Sequence, residues 1–252
     1  PGGRPAPLTA SSFGAGELLR AALEAGAQRI ILGVGGSAST DGGAGLLQAL
    51  GARVLDTCGE PVRPGGAGLR EVAALDLTGL HRAQYPADII LAADVDNPLT
   101  GPDGAAKVYG PQKGASPAEV AALDAGLRRW AAVVAAATGR DWSRTPGAGA
   151  AGGVGFAALA VLGATRRPGI ELVLDLAGFE TALDGADLVI TGEGSLDAQS
   201  LAGKTPVGVA QAAARRGIAV VAVAGRSTLR EAELAAAGIG RASCRERVSI
   251  DV

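Results

Sequence analysis

Three times along this chain a short apolar, β-branched run breaks off into a polar, glycine-rich loop, at residues 35–45, 94–104 and 192–203. No other feature constrains the fold as strongly. Apolar runs of this kind read as buried strands, and helical patterns follow them, which is the alternation of an α/β fold with a parallel sheet. In open parallel sheets ligands bind beyond the carboxyl ends of the strands. Ordinary strand-to-helix turns also favour Gly and Asp. Such turns are short, however, and each of these loops is long and carries at least one carboxylate.

The remaining elements follow from local signals. Residues 13–25 read as a helix with Ser11 or Ser12 as its cap and Gly26 as its stop. Residues 29–36 (RIILGVGG) read as a strand, 44–50 as a helix and 52–56 as the next strand, a βαβ unit. Residues 60–68, rich in Pro and Gly, form an excursion. The strand 87–95 (ADIILAADV) runs into a long loop that ends at Ser116, where Ser116, Pro117 and Glu119 fit the N-cap, N1 and N3 positions of a helix to residue 138. A glycine cluster places Gly152 and Gly153 at the start of an apolar helix. The strand 186–194 (ADLVITGEG), its apolar part ending at Thr191, a helix near 206–216 and the strand 218–225 complete a further βαβ unit.

Composition removes several classes. With 252 residues, 48% apolar and 19% charged, the chain is long enough for one large or two small cores and is not disordered. A net charge of −2 and no basic stripe interleaved with aromatics argue against nucleic acid as a partner. No apolar run reaches membrane-spanning length and none resembles a signal peptide, so no membrane partner is expected. Cys58 and Cys244 stand far apart, which fits a reducing compartment and a cytoplasmic location. The opening PGGRPAPL reads as the interior of something longer.

The chemistry must come from the loops. Their carboxylates are Asp41, then Asp94, Asp96 and Asp103, then Glu193 and Asp197. Carboxylates converging at strand ends give hard oxygen ligands for Mg²⁺, and backbone amides at Gly35, Gly36, Ser37, Gly192 and Gly194 can hold phosphates. That inventory suits phosphoryl transfer from ATP, which needs positioned cations and one carboxylate base rather than covalent catalysis. Asp197, Asp94 and Asp41 are the catalytic candidates, and Glu193 and Asp94 the metal candidates. Asp197 is favoured for the acceptor hydroxyl and Glu193 for the metal. Lys107, Lys113 and Lys204 are the chain's three lysines, each a candidate for phosphate or carboxylate. His81 reads as a solvated loop residue, and Trp130 and Trp142 as packing. Residues 198–205 (AQSLAGKT) imitate a P-loop but lack its first Gly and follow the strand too late. GVGG at 33–36 is no dinucleotide fingerprint. A nucleotide-binding module without turnover and a Rossmann-like NAD(P)-dependent oxidoreductase are the competing classes.

The stretches ILGVGGSASTDGGAGLLQALGARVLD, AADVDNPLTGPDGAAKVYGPQKGAS, PGAGAAGGVGFAAL and LVITGEGSLDAQSLAGKTPVGVA closely resemble the type I glycerate kinase family, over residues 8–240. The resemblance implies phosphorylation of D-glycerate by ATP and Mg²⁺ to 2- or 3-phosphoglycerate. It implies two α/β domains, one flavodoxin- or Rossmann-like and one restriction-endonuclease-like, with the loops lining the cleft between them. Carried over, the site positions are Ser37, Asp41, Asp94, Asn97, Lys107, Lys113, Glu193, Asp197 and Lys204. The corresponding division assigns 1–50 and 180–240 to the flavodoxin-like part and 51–179 to the second domain. Glycerate is the expected partner, with a homodimer left open. Two departures stand out. Family chains begin with a further segment carrying an Asp-Ser-x-Lys loop, which has no counterpart in this sequence. Residues 241–252 (RASCRERVSIDV) read as foreign or frame-shifted sequence, with a genuine divergent tail as the alternative, and are expected to be poorly ordered or to pack without burying an apolar stripe.

Overall fold

Ile89, Ile90 and Leu91 are buried in succession, covered on both faces of one strand, and the first part of the molecule is organised around them. The structure, a computed structural model, describes residues 5–81, 86–198, 200–202 and 205–244. The chain divides into two compact units, Pro1–Arg167 and Pro168–Val252. Both are α/β with parallel sheets, as the sequence predicts.

In the first unit the order is α1 (Phe13–Glu24), β1 (Arg29–Gly33), α2 (Ala44–Ala49), β2 (Arg53–Leu55), β3 (Ala74–Asp76), β4 (Asp88–Ala92), α3 (Ala105–Tyr109), α4 (Pro117–Thr138), α5 (Val154–Ala160) and β5 (Thr165–Arg167). β4 lies between β1 and β5 and parallel to both, with Ile31 opposite Ile90 and Ala92 opposite Arg167. The βαβ unit expected from 29–36 through 44–50 to 52–56 does not form. β2 instead pairs antiparallel with β3, Val54 opposite Leu75. Burial gives the reason: β2 buries Val54 alone, whereas β4 buries three side chains running. A central parallel strand must be apolar on both faces, and a two-stranded ribbon need not be. The sheets also cut the chain elsewhere than the sequence-based division, because β1–β4 hydrogen bonds join residues 29–33 to 88–92.

The helices supply the core. α4 begins on the expected capping box, with Glu119 N–H donating to Ser116 Oγ at 3.4 Å and Ser116 N–H to Glu119 Oε2 at 2.8 Å. Its Leu123, Leu127, Trp130 and Val134 fall on one helical stripe and are fully buried. Ser12 occupies the N-cap of α1 without capping it, since its hydroxyl donates to Asp41 and accepts from Leu46 N–H. His81 lies 3.2 Å from Glu24.

The second unit runs α6 (Gly169–Leu176), α7 (Phe179–Ala182), β6 (Leu188–Leu196), α8 (Thr205–Ala214), β7 (Ala219–Ser227), α9 (Glu231–Ala236) and β8 (Arg241–Cys244). β6, α8 and β7 make the expected βαβ unit, with β6 and β7 parallel from Leu188 opposite Ala219 to Leu196 opposite Ser227. Val207, Ala210 and Ala213 of α8 pack with Val189, Val220, Ala222 and Ala224. Of the tail, residues 241–244 pair parallel with β7, from Val221 opposite Arg241. Backbone pairing needs only the free N–H and C=O groups of the edge of β7, not an apolar period in the added strand. Residues 245–252 lie outside the described residues.

Candidate functional site

In the first unit the glycines of the 33–45 loop have two different roles. A Cβ added at Gly35 or Gly36 would meet nothing within 4 Å, and both residues are exposed. Gly42, Gly43 and Gly45 are packed: an added Cβ would lie 2.4 Å from Trp130, 2.4 Å from Ala157 and 2.2 Å from Ser11 respectively. Gly42 and Gly43 also have φ of 63° and 74°, which L side chains rarely adopt. The first half of the motif therefore leaves backbone open to a ligand, and the second half brings α2 against the 152–153 turn, where Gly42 N–H donates to Gly152 C=O at 3.0 Å.

Asp41, a catalytic candidate from sequence, is fully buried. Its carboxylate accepts from five donors: Ser11 Oγ, Ser12 N–H, Ser12 Oγ, Gly43 N–H and Gly45 N–H, at 2.8–3.3 Å. This is the bonding of an anchor that ties the start of α1 to the N-terminus of α2. Lys113 lies on the short turn Pro111–Lys113 before α4 and reaches the open half of the same loop. Its Nζ donates to Ser37 Oγ at 3.0 Å and to Ser39 C=O at 2.6 Å. Burial pushes its pKa down from 10.5 to about 8, against the opposing pull of Asp41. Below that pH it remains a cation beside a loop of open glycines.

The second loop is tied differently. Asn97 donates to Asp103 C=O at 2.8 Å, accepts from Tyr109 OH at 2.6 Å, and takes Gly149 N–H on its own C=O at 2.8 Å. Asp96 pairs with Arg166 at 2.8 Å. Asp94 is exposed just beyond β4. Lys107 is exposed on α3 and, with Pro111, Pro117 and Val120, lines an apolar hollow that does not include Ser37. Of the two described lysines, only Lys113 is brought to the first loop.

In the second unit the strand before the site is longer than expected. The glycines of TGEG predict a strand ending at Thr191, with Glu193 free in a loop, but β6 continues to Leu196, with Glu193 opposite Ala224 and Ser195 opposite Arg226. Gly192 fits because its hydrogen faces Val223 C=O, which a Cβ would approach to 2.4 Å, while Gly194 faces open space. The carboxylates of Glu193 and Asp197 are then joined by Ser200, a residue the sequence reading passed over. Ser200 Oγ donates to Glu193 Oε1, and Ser200 N–H donates to Asp197 Oδ1 at 3.3 Å. The available signal was an Asp followed three residues later by a Ser, a spacing at which side chains bond local backbone. Arg226 was missed too: it stands on β7 with Nε donating to Ser195 Oγ at 3.0 Å. Gly203 and Lys204 lie outside the described residues.

Among the described residues no group of three or more His, Cys, Asp or Glu side chains gathers as a metal cage. Mg²⁺ does not require one, since it is usually held by one or two carboxylates together with substrate phosphates. The linked Glu193 and Asp197 fit that requirement.

The glycerate kinase family model matches residues 1–249. The glycerate kinase of Bacillus subtilis (strain 168) is 48% identical over 219 residues, which is 87% of this chain and 57% of that protein. Glycerate 2-kinase of Escherichia coli (strain K12) is 46% identical over 222 residues, 88% of this chain and 58% of that one. A crystal structure from Salmonella typhimurium LT2, provisionally named glycerate kinase 2, superposes with a TM-score of 0.84 at 45% identity, covering 97% of this chain and 63% of the other. The chain thus spans less than two thirds of the length of these relatives.

Proposed function

The chain belongs to the glycerate kinase family, and from that premise we propose that the protein phosphorylates glycerate with ATP and Mg²⁺, giving 2- or 3-phosphoglycerate. The observation that carries the reading is the pair of carboxylates, Glu193 and Asp197, fastened through Ser200 at the carboxyl end of a parallel strand. Strand ends of this kind are where open α/β sheets bind ligands. The E. coli relative is named a 2-kinase, so the 2-hydroxyl is the acceptor to look for first.

In this reading Asp197 orients the acceptor hydroxyl and takes its proton as the oxygen–phosphorus bond forms and the bond to ADP breaks. Glu193 holds Mg²⁺, directly or through water. When bound, Mg²⁺ would neutralise charge developing in the transition state. Gly35, Gly36 and Gly194 let backbone approach the phosphates, and Lys113 with Ser37 offers a cation and a hydroxyl to a phosphate or to the carboxylate of glycerate. Asp94, Lys107, Lys204 and Gly192 keep supporting assignments to metal or phosphate. Asp41 acts on this chemistry only by fixing α2 and the loop before it. Among the described residues no helix is long and apolar enough to cross a membrane, and we place the protein in the cytoplasm.

The test is ADP release by the whole protein carrying this chain, with Mg·ATP, in the presence and absence of glycerate. Release that depends on glycerate supports the proposal. Tight ATP binding without turnover would make the protein a binding module instead, and oxidation of NAD(P)H without use of ATP would remove the kinase reading.

A further inference from the structure

Ser200 opens the short turn Ser200–Ala202 three residues beyond Asp197, and its side chain is fully buried. A serine hydroxyl has one proton to give and two lone pairs to receive. Its proton is directed to Glu193 Oε1, and a second acceptor, Ser195 C=O, stands 3.2 Å away. Its oxygen accepts from Asp197 N–H at 3.2 Å. Its own N–H reaches back to Asp197 C=O at 2.9 Å and Asp197 Oδ1 at 3.3 Å. One residue is thus bonded to both carboxylate-bearing residues and to the strand between them.

A single proton cannot serve both Glu193 and Ser195. A carboxylate with no cation on it is the stronger acceptor, because bonds to a charged partner are shorter and stronger. Once a cation compensates that charge, the Ser195 carbonyl can take the hydrogen bond, so the buried hydroxyl is never left unpaired, an outcome that would be costly. We infer that Ser200 is a positioning residue: it holds Glu193 and Asp197 in one arrangement and turns its O–H hydrogen bond to the Ser195 carbonyl when Glu193 turns to a cation. The inference rests on the proposed function for the identity of that cation as Mg²⁺. Ser200 itself need not touch substrate.

The competing role is an ordinary turn cap, whose loss would weaken the fold and nothing else. Two readouts on the whole protein separate the roles. The first is amide hydrogen exchange at Asp197 without metal or nucleotide, in wild type, Ser200→Ala and Ser200→Thr. The expected result is exchange faster by about tenfold in Ser200→Ala, the order of a lost hydrogen bond, with protection restored in Ser200→Thr. The second is the Mg²⁺ concentration giving half-maximal phosphorylation, expected to rise about tenfold in Ser200→Ala with kcat falling, an effect of the same order, while KM for glycerate holds. Should Ser200→Ala fail to fold, Ser200→Cys, close in size and a weak donor, takes its place with smaller shifts in the same directions. A lower melting temperature with unchanged Asp197 exchange and unchanged Mg²⁺ dependence would leave only a cap and overturn the inference. If wild type releases no ADP in response to glycerate, the functional reading fails, and the metal-free exchange measurement still decides whether Ser200 holds the two residues.

Discussion

The surroundings of Lys113 change its chemistry. Burial holds its pKa at about 8 rather than 10.5. The folded protein therefore releases that proton at a lower pH than the unfolded chain does. Stability carries the full cost of the buried charge below about pH 8 and regains it as pH rises toward 10.5. A ligand anion needs the charged form, so KM for the anion that Lys113 meets should climb above pH 8 in wild type. In Lys113→Met that KM should be raised at all pH values, with the pH-dependent rise gone. An unchanged KM for both glycerate and ATP would return Lys113 to a structural role. Asp197 is tested by Asp197→Asn, which keeps shape and most hydrogen bonding. A lost general base lowers kcat by roughly 10²–10⁴, whereas a lost cap costs about 0.5–2 kcal/mol of stability and leaves chemistry intact. We expect the first, with melting temperature and ATP affinity nearly unchanged. At this scale the sequence offers candidate residue types but not their bonding. Asp41 and Asp197 look alike in the sequence, each in a glycine-rich loop. Only the fold shows that five donors enclose Asp41, because Ser11 and Ser12 come from a distant element.

Among the elements, β6 shows best why local signals run out. Gly192 and Gly194 weaken strand propensity, and a sequence reading ends the strand at Thr191. The pairing with β7 continues regardless, since it uses backbone groups and strand propensity yields to tertiary context. The two glycines should therefore respond differently to replacement. Gly192→Ala puts a methyl group 2.4 Å from Val223 C=O and should separate β6 from β7, lowering the melting temperature by several degrees. Gly194→Ala meets nothing and should leave the melting temperature near wild type. Equal losses in the two variants would contradict the β6–β7 register. The capping box of α4 was legible to the residue because Ser116, Pro117 and Glu119 act on one another within a single turn. The partner of β2 was not, because strand pairing is a long-range choice. There the burial of Ile89, Ile90 and Leu91 gives the central position to β4.

For the molecule as a whole, the α/β class and the positions of the first two loops followed from periodicity and glycine placement, whereas the third loop begins only after Leu196. The division of the chain did not follow from them, because it depends on which strands share a sheet, and the β1–β4 register joins residues that local signals separate. Residues 241–244 likewise join a sheet through backbone pairing that an irregular residue pattern does not announce. A protein carrying these two units is expected to move a phosphoryl group from ATP to glycerate, and ³¹P NMR of the whole protein incubated with ATP, Mg²⁺ and D-glycerate observes that transfer itself. The expected spectrum shows a phosphomonoester signal of phosphoglycerate growing in step with ADP, its position reporting the 2- or the 3-hydroxyl. Inorganic phosphate appearing in place of the phosphoester, or ATP remaining intact with glycerate present, would contradict the proposed transfer.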